Sequence, residues 1–335
     1  MKVLVTGGTG YIGSHICVAL LKMKYTVIIV DNLCNSKIEV VDKIKQITNN
    51  QNIYFYNIDM TDKKSLEEPF KKHKIKGIIH CAGYKAVGES IQNPLLYYKN
   101  NVLSTILLGE LMIKYNVKKI VFSSSATVYG NNISPLNENM ELLPTTNPYG
   151  ETKVINEKIL KDLYTANNEL SITFLRYFNP VGAHESGLIG ENPTGKPNNL
   201  MPYISQTASG KLSYLSVFGN DYPTYDGTGI RDYIHVMDLA EGHVVSLQKI
   251  KKGIKIYNIG TGKGTSVLEL IQTFEKVNNL KVPFKITERR SGDLSTCFAD
   301  VSKINEELGW FAKRSIEEMC IDTWNHEQKK KDEKN

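Results

Sequence analysis

The sequence predicts an α/β fold in which a doubly wound parallel sheet (Rossmann) is joined by a smaller, mixed α/β lobe. Two observations favour this fold. Short β-branched runs alternate with helical patterns through the first half of the chain, and a glycine-rich turn at residues 6–13 connects the first run to the first helix. The chain has 335 residues, 41% of them hydrophobic and 23% charged, which is typical of a globular protein of about two domains.

The strands and helices of the first half follow one another in strict alternation. Predicted strands cover residues 3–5, 27–30, 53–58, 77–80, 119–123 and 171–175. Predicted helices cover residues 13–24, 36–47, 62–72, 94–115 and 149–164. Ser36 and Glu39 form a capping-box signal for the second helix, and Pro94 stands in the first turn of the fourth. Such βαβ alternation implies parallel strands with right-handed crossovers.

The pattern becomes irregular after about residue 178. Loops rich in Gly, Pro and Asn at residues 187–199 and 221–229 separate a helix at 200–208, a strand at 215–218, and helices at 238–249 and 266–278. We therefore predict a Rossmann domain over residues 1–178, a second lobe over 179–327, and a polar tail over 328–335 that frays from about residue 327.

Composition argues against several classes of protein. The formal charge of +6 comes mainly from scattered Lys, whereas nucleic-acid binders concentrate their basic residues, so no nucleic acid is expected. The five Cys form no C-x-x-C pair, which predicts neither a metal site nor disulfides and favours a cytoplasmic location. No apolar run predicts a membrane span, and the glycine turn follows the N-terminus too closely for a signal peptide. Because Arg is scarce, each Arg is a candidate for bidentate recognition of an anion.

The glycine turn and the carboxylates that follow it predict a dinucleotide site. Gly7, Gly10 and Gly13 would let the backbone and the helix N-terminus approach a pyrophosphate. Asp31 ends the second strand, where a carboxylate accepts hydrogen bonds from both ribose hydroxyls and repels a 2′-phosphate. NAD is therefore favoured over NADP, and Asp59 is placed for the adenine amino group. The alternative for Asp31 is a plain turn residue.

Tyr149 and Lys153 are four residues apart and share one helix face. An ammonium beside a phenol lowers the pKa of the phenol, so Tyr149 could serve as a general base toward a sugar hydroxyl. The run of serines at residues 123–125 ends the fifth strand, and one of these hydroxyls could bind the same substrate oxygen. The alternative for the serines is capping of the strand end.

Residues 6–13 together with Tyr149-x-x-x-Lys153 resemble the extended short-chain dehydrogenases/reductases. Further stretches at residues 31–36, 86–90, 123–130, 176–183, 198–202 and 227–233 narrow the resemblance to the UDP-glucose 4-epimerase family, from residue 1 to about 325. The resemblance implies interconversion of UDP-glucose and UDP-galactose in galactose metabolism. Tightly bound NAD would take hydride from C4 and return it to the other face of a 4-keto sugar.

The resemblance also implies roles for individual residues. Tyr149 is the base, Lys153 tunes it and holds the nicotinamide ribose, and Ser125 positions the reacting hydroxyl. The residues that match the cofactor site are Gly7, Gly10, Tyr11, Ile12, Gly13, Asp31, Asn32, Leu33, Cys34, Asn35, Ser36, Asp59, Met60, Cys81, Ala82, Gly83, Lys85, Asn100, Tyr149, Lys153 and Phe178. Those that match the UDP-sugar site are Ser125, Tyr149, Asn179, Asn199, Leu200, Phe218, Arg231, Arg290, Asp293 and Cys297.

Two other functions compete with this interpretation. A nucleotide-sugar 4,6-dehydratase would carry an Asp-Glu pair where this chain has Ala126 and Thr127, neither of which is an acid or a base. A non-catalytic NAD-sensing protein would not need Tyr149, Lys153 and Ser125.

Two further expectations concern substrate range and assembly. Some family members have Tyr at the position of Cys297, and a small residue there leaves space for an acetamido group, so we expect activity on UDP-N-acetylglucosamine and UDP-N-acetylgalactosamine too. The alternative is that Phe298 fills that space. A homodimer is expected because the helices at 94–115 and 149–164 carry apolar residues beyond one core-facing stripe, namely Leu95, Leu103, Leu108, Met112, Ile155, Ile159 and Leu163.

Overall fold

The computed structural model describes residues 1–193, 197, 199–290 and 292–333, which fold into two compact units. The first unit contains Met1–Gly130, Glu141–Tyr177 and Ala240–Tyr257. The second contains Asn131–Met140, Phe178–Leu239 and the residues from Asn258 onward.

The division departs from the predicted one in two places. Residues 131–140 belong to the second unit, because the Leu136 N–H donates to the Phe298 carbonyl at 2.9 Å and the Leu136 carbonyl accepts from the Asp300 N–H at 2.8 Å. Residues 240–257 belong to the first unit, because they supply most of a seventh strand to its sheet.

The strands follow one another along the chain as β1 (Lys2–Thr6), β2 (Thr26–Asp31), β3 (Ile53–Asn57), β4 (Ile75–His80), β5 (Lys119–Ser125), β6 (Ser171–Tyr177), β7 (Asn179–Val181), β8 (Leu215–Phe218), β9 (Ile230–Arg231), β10 (Tyr233–His235), β11 (Gly253–Ile259), β12 (Thr265–Ser266), β13 (Phe284–Thr287) and β14 (Thr296–Cys297).

The helices are α1 (Tyr11–Lys22), α2 (Glu39–Thr48), α3 (Lys63–Lys72), α4 (Val87–Gln92), α5 (Pro94–Tyr97), α6 (Leu103–Lys114), α7 (Pro148–Ala166), α8 (Leu200–Ala208), α9 (Val236–Lys249), α10 (Val267–Asn278), α11 (Ser302–Leu308) and α12 (Ile316–Asp332). A π-helical turn (Tyr98–Val102) joins α5 to α6, and a 3-10 turn (Ala126–Tyr129) follows β5.

The first unit is built on a seven-stranded sheet in the order β11-β6-β5-β4-β1-β2-β3. Strands β1 to β6 pair in parallel. The strand order reverses where β1 lies between β2 and β4, which is where doubly wound sheets bind nucleotides. Val3, Leu4 and Val5 of β1 have no exposed surface, as expected for a central parallel strand. The predicted fold class is confirmed.

The second unit has smaller sheets and its own core. Strand β7 pairs in parallel with β10, β9 lies between β12 and β14, and β8 pairs in parallel with β13. Its core is formed by apolar residues of α8, α10 and α12 packed against β8 and β10, among them Ile204, Phe274, Met319, Val217 and Tyr233.

Three predicted local features are wrong. Ser36 does not cap α2: Ile38 is the N-cap residue, and the Ser36 hydroxyl lies 2.7 Å from Thr9 Oγ1 instead. The helix predicted over residues 94–115 is interrupted by the π-helical turn. The predicted tail is helical as far as Asp332, because it is the end of helix α12, which begins with a capping box formed by Ser315 and Glu318. The last two residues, 334 and 335, lie outside the described part of the chain.

Candidate functional site

The glycine turn between β1 and α1 forms a cradle that is held in shape by backbone hydrogen bonds. Gly7 has φ +69°, its N–H donates to the Val30 carbonyl at 2.8 Å, and its carbonyl accepts from the Gly10 N–H at 3.1 Å. A Cβ at Gly13 would lie 2.1 Å from the Gly7 carbonyl oxygen, so only glycine fits there. Helix α1 begins at Tyr11 with no side-chain cap and no acidic residue in its first turn, which leaves its positive end open to an anion.

Asp31, at the end of β2, organises the loop that follows it. The Thr9 N–H donates to Asp31 Oδ2 at 3.1 Å, while the Leu33 N–H donates to Oδ1 at 2.9 Å. Leu33 has φ +59°, a conformation that non-glycine residues rarely adopt. The carboxylate therefore ties the glycine turn to residues 31–36, where Asn32 is half-buried and Cys34 and Asn35 are exposed.

The ends of β3 and β4 bring further predicted residues to the same edge of the sheet. Asp59 accepts from the Thr61 N–H at 2.8 Å and from the Asn32 amide at 3.2 Å, and the pKa of its carboxyl is lowered chiefly by the Thr61 hydroxyl. Met60 is buried. After β4 come Cys81, Ala82, Gly83 and Lys85, and the Lys85 ammonium lies 6.0 Å from the centre of the Tyr11 ring.

Asn100 lies in the π-helical turn, a type of irregularity that is frequent at functional sites. Its amide donates to Asn101 Oδ1 at 3.0 Å. Asn101, which sequence reasoning missed, is buried and donates to the Tyr84 carbonyl at 3.0 Å and to Thr152 Oγ1 at 3.1 Å. It therefore links the segment after β4 to helix α7.

Tyr149, Lys153 and Ser125 are brought together at the end of β5. Pro148 opens α7, and the Asn147 side chain caps it by accepting from the Gly150 N–H at 2.9 Å. The Tyr149 hydroxyl is hydrogen-bonded to the side chains of Ser125 and Tyr177. The Lys153 ammonium lies 5.8 Å from the centre of the Tyr149 ring, and the Tyr149 side chain is almost fully buried.

The pKa of Tyr149 is shifted in the direction opposite to the one predicted from the Tyr–Lys pair. Burial raises it, and the hydrogen bonds of Ser125 and Tyr177 only partly oppose that rise. The Lys153 ammonium uses one of its three N–H donors on the Ser123 carbonyl, at 2.7 Å. Burial also lowers the pKa of Lys153 to about 8.

The three serines at the end of β5 have different partners, a division that the sequence did not reveal. Ser123 Oγ lies 2.9 Å from His243 Nε2, and Ser124 Oγ donates to Glu157 Oε1 at 2.7 Å. Ser125 accepts from the Thr127 N–H at 3.2 Å, so it caps the 3-10 turn as well as contacting Tyr149.

The second unit carries a separate cluster of the predicted substrate residues. The Arg290 Nε donates to Asp293 Oδ2 at 2.9 Å, and an Arg231 nitrogen lies 3.5 Å from Asp293 Oδ1. The Arg290 guanidinium also lies 4.7 Å from the centre of the Phe218 ring, which is exposed. Two guanidinium groups therefore contact one carboxylate, and one of them also lies over an aromatic ring; guanidinium groups suit a nucleotide diphosphate.

The remaining predicted residues of this unit lie on its strands, directly before strand β7, or at the start of α8. Cys297 on β14 is in register with Arg231 on β9, and burial raises the pKa of its thiol to about 11. Asn179 pairs with Tyr233, and Asn199 stands at the N-cap position of α8 without a side-chain capping bond and donates to Glu191 Oε1 at 2.6 Å. Leu200 is half-buried in the first position of α8, and Phe178 is buried beside the Ile259 carbonyl.

The glycine turn, the acidic residue after the second strand and the Tyr–Lys pair are together typical of short-chain dehydrogenases/reductases. The family model described as GDP-mannose 4,6 dehydratase matches residues 4–323. The curated UDP-glucose 4-epimerase of Bacillus subtilis (strain 168) is 57% identical over 327 residues, covering 97% of this chain and 96% of the relative. That of Haemophilus influenzae is 55% identical, with 97% of each chain covered.

Solved structures agree with these relatives. A UDP-glucose 4-epimerase from Stenotrophomonas maltophila, with bound NAD and formylated UDP-arabinopyranose, has a TM-score of 0.96 at 48% identity, covering 99% of both chains. One from Bifidobacterium longum, in complex with NAD+ and UDP, has a TM-score of 0.95 at 48% identity, covering 98% of both. The chain belongs to the UDP-glucose 4-epimerase family.

The described residues contain neither a candidate membrane span nor a candidate metal site. No helix among them has the length and apolarity needed to cross a bilayer. No group of three or more His, Cys, Asp or Glu side chains in the same part of the chain could hold a metal ion.

Proposed function

We propose that this protein is an NAD-dependent isomerase that inverts C4 of UDP-hexoses and so interconverts UDP-glucose and UDP-galactose. The observation that carries the proposal is the buried Tyr149 hydroxyl at the edge of a nucleotide-binding sheet, hydrogen-bonded to Ser125 and close to Lys153. Family membership supplies the substrate class, since the named relatives are UDP-glucose 4-epimerases.

The residues at the sheet edge fit NAD. The cradle favours glycine at Gly7, which has φ +69°, and has no room for a Cβ at Gly13; the uncapped start of α1 offers N–H groups to a pyrophosphate. Asp31 accepts two backbone hydrogen bonds and keeps a carboxylate at the end of β2, which favours ribose hydroxyls and disfavours a 2′-phosphate. When bound, NAD would accept the C4 hydride and return it to the opposite face of the 4-keto sugar.

Three residues of the first unit would handle the proton. Tyr149 removes it from the 4-hydroxyl and gives it back after inversion, while Ser125 holds the same oxygen. The Lys153 ammonium stabilises the phenolate electrostatically and binds the nicotinamide ribose. Ala126 and Thr127, which follow Ser125, supply no acid or base for the elimination that a 4,6-dehydratase performs.

The second unit would hold UDP. Arg231 and Arg290 offer guanidinium groups to the diphosphate, and the exposed Phe218 ring offers a face to the base. Asn179, Asn199, Leu200 and Asp293 complete the proposed site. Strong binding of the nucleotide would retain the 4-keto intermediate, while the hexose ring, which is held more loosely, rotates to present its other face.

The proposed substrates include UDP-N-acetylglucosamine and UDP-N-acetylgalactosamine. Cys297 is half-buried and small, and it is in register with Arg231, a proposed diphosphate residue. A Tyr at this position would occupy volume that an acetamido group needs, at a cost of about 1–3 kcal/mol.

We also propose a cytoplasmic homodimer that pairs through α5, α6 and α7. Leu95, Ile106 and Ile113 are exposed, at 81%, 40% and 43%, and Ile155 and Ile159 on α7 are half-buried. The predicted set needs a correction, since Leu108 and Met112 are buried within the chain's own core, and the partly buried Leu103 and Leu163 pack against it. Sedimentation at micromolar concentration that gives only a monomer would refute the dimer.

The function is tested by incubating the purified protein with UDP-galactose and measuring UDP-glucose with a coupled dehydrogenase. Denatured protein should release NAD, and Tyr149→Phe should abolish most turnover while keeping that NAD. Bound NAD without turnover would indicate an NAD-sensing protein, and a 4-keto-6-deoxy product would indicate a dehydratase.

A further inference from the structure

The backbone carbonyl that holds Lys153 belongs to a residue whose side chain is itself fixed. The Lys153 ammonium donates to the Ser123 carbonyl at 2.7 Å. Ser123 lies two residues before the end of β5, and its side chain is buried. Any change in the position of Ser123 would therefore move the oxygen that orients the ammonium.

The side chain of Ser123 contacts residues from two other parts of the first unit. His243 Nε2, on α9, lies 2.9 Å from Ser123 Oγ, and Cys81 Sγ, just after β4, lies 3.1 Å from it. His243 has no exposed surface. Ser123 and His243 are 120 residues apart in the sequence, so this contact joins helix α9 to the end of β5.

His243 also contacts the second tyrosine of the site. Its ring centre lies 6.4 Å from that of Tyr177, at an interplanar angle of 52°. Tyr177 is in register with Ser125 across β5 and β6, and its hydroxyl is hydrogen-bonded to Tyr149. One buried imidazole thus touches both the support of Lys153 and the aromatic neighbour of Tyr149.

We propose that His243 is a positioning residue for the epimerase reaction, acting through Ser123 on Lys153 and through Tyr177 on Tyr149. This inference rests on the proposed function. In this role the imidazole contacts none of the reacting atoms. It fixes Ser123 and Tyr177, and these in turn hold Lys153 and Tyr149. Small displacements of catalytic groups lower turnover strongly, so the effect should fall on kcat rather than on substrate binding.

The test compares three variants in the UDP-galactose assay. His243→Phe keeps an aromatic ring but removes the nitrogen that meets Ser123 Oγ, and should lower kcat by about 10–100-fold with little change in KM. His243→Gln, which can still reach a hydroxyl, should recover a large part of that loss. Leu247→Ala is the matched control, because Leu247 is a buried residue one turn further along α9 whose side chain lies against Gly77 of β4.

A double-mutant cycle supplies a readout that a merely structural role would not move. Ser123→Ala should lower kcat, and adding His243→Phe to it should lower kcat further by much less than in the wild type. Unchanged kcat in folded His243→Phe, equal losses in the Leu247→Ala control, or fully additive losses would overturn the inference. If the wild type itself shows no epimerase activity, the proposed function fails instead, so the two failures are distinguishable.

Discussion

Replacing Arg176 with Met should destabilise the protein more than almost any surface change could. Arg176 and Glu157 form an ion pair with both side chains buried, at 2% and 1% exposure. The Arg176 Nε donates to Glu157 Oε1 at 2.9 Å and Nη2 donates to Oε2 at 2.7 Å. The variant leaves the Glu157 carboxylate buried, and its remaining partners among the residues that the structure describes are Ser124 at 2.7 Å and Lys161 at 3.5 Å.

The magnitude follows from those contacts. Two hydrogen bonds to a charged group contribute about 1.5–3 kcal/mol each. Removing one partner of a buried pair costs about 3–5 kcal/mol, because an uncompensated charge remains inside. We expect Arg176→Met to lose about that much free energy of unfolding, measured by urea titration with NAD in fixed excess so that ligand binding does not differ.

The pH dependence of this loss has a definite sign. Burial acts to raise the pKa of Glu157, but the hydrogen bonds and charge of Arg176 outweigh it, so the pKa is lowered in the folded protein. A lowered carboxyl pKa gives stability that is present above the ordinary value of about 4.3 and is lost as pH falls through the folded pKa. The gap between wild type and Arg176→Met should therefore shrink in acid.

A compensating variant makes the reasoning refutable. Glu157→Gln added to Arg176→Met removes the stranded charge but keeps an oxygen for Ser124, so the double variant should regain at least half of the loss. A single variant that loses less than about 1 kcal/mol, the value for an exposed pair, would contradict the argument. So would a double variant that is no more stable than the single one.

Three other outcomes are expected. Tyr149→Phe should lower kcat by about 10²–10⁴-fold while the NAD content stays at the wild-type level, and loss of NAD would show that the ring is needed for binding instead. Cys297→Tyr should lower kcat/KM for the N-acetylated UDP-hexoses at least about tenfold, with UDP-galactose turnover largely kept; equal losses on both would refute the volume argument. Burial, aided by the charge of Lys153, lowers the pKa of His80 to about 3, so the unfolded chain binds a proton that folded His80 does not, and stability is lost as pH falls from about 6.5 toward 3. His80→Asn should therefore show a flatter fall of the unfolding midpoint between about pH 6.5 and pH 4, and an unchanged slope would show that other groups set it.

Periodicity predicts the first unit well because its strands are fully buried runs joined by amphipathic helices. In the second unit, the predicted bounds of α8, Leu200–Ala208, and of β8, Leu215–Phe218, also coincide with the observed ones. The prediction that Ser36 caps a helix is wrong because Ser-x-x-Glu is a purely local pattern. The Ser36 hydroxyl is hydrogen-bonded instead to the side chains of Thr9 and Asp31, which come from other parts of the fold. The π-helical turn has no signature in hydrophobic spacing, since it adds only one residue to a turn.

The sequence predicts some contacts of the site and not others, depending on how far apart the partners lie along the chain. Tyr149 and Lys153 could be paired from spacing alone, because four residues along one helix fix their distance. Ser123, Arg176 and His243 could not, because their partners lie 30, 19 and 120 residues away and only the assembled sheet brings them together. Leu108 and Met112 were expected on a dimer face for the same reason: a helix that is apolar on more than one side does not reveal which side its own chain covers.

Helix α7 explains why stability and chemistry are coupled in the first unit. Tyr149, Lys153 and Glu157 follow one another at intervals of four residues, so they occupy neighbouring turns on one face of the helix. Glu157 is bound by Arg176 of β6 and by Ser124 of β5, the residue between the serine whose carbonyl holds Lys153 and the serine that contacts Tyr149. A buried ion pair is a weak way to gain net stability, and a well-packed apolar pair would do as well. Its value here is directional: two charge-assisted hydrogen bonds fix the rotation of α7 against the strand ends, and that rotation decides where the phenol and the ammonium point.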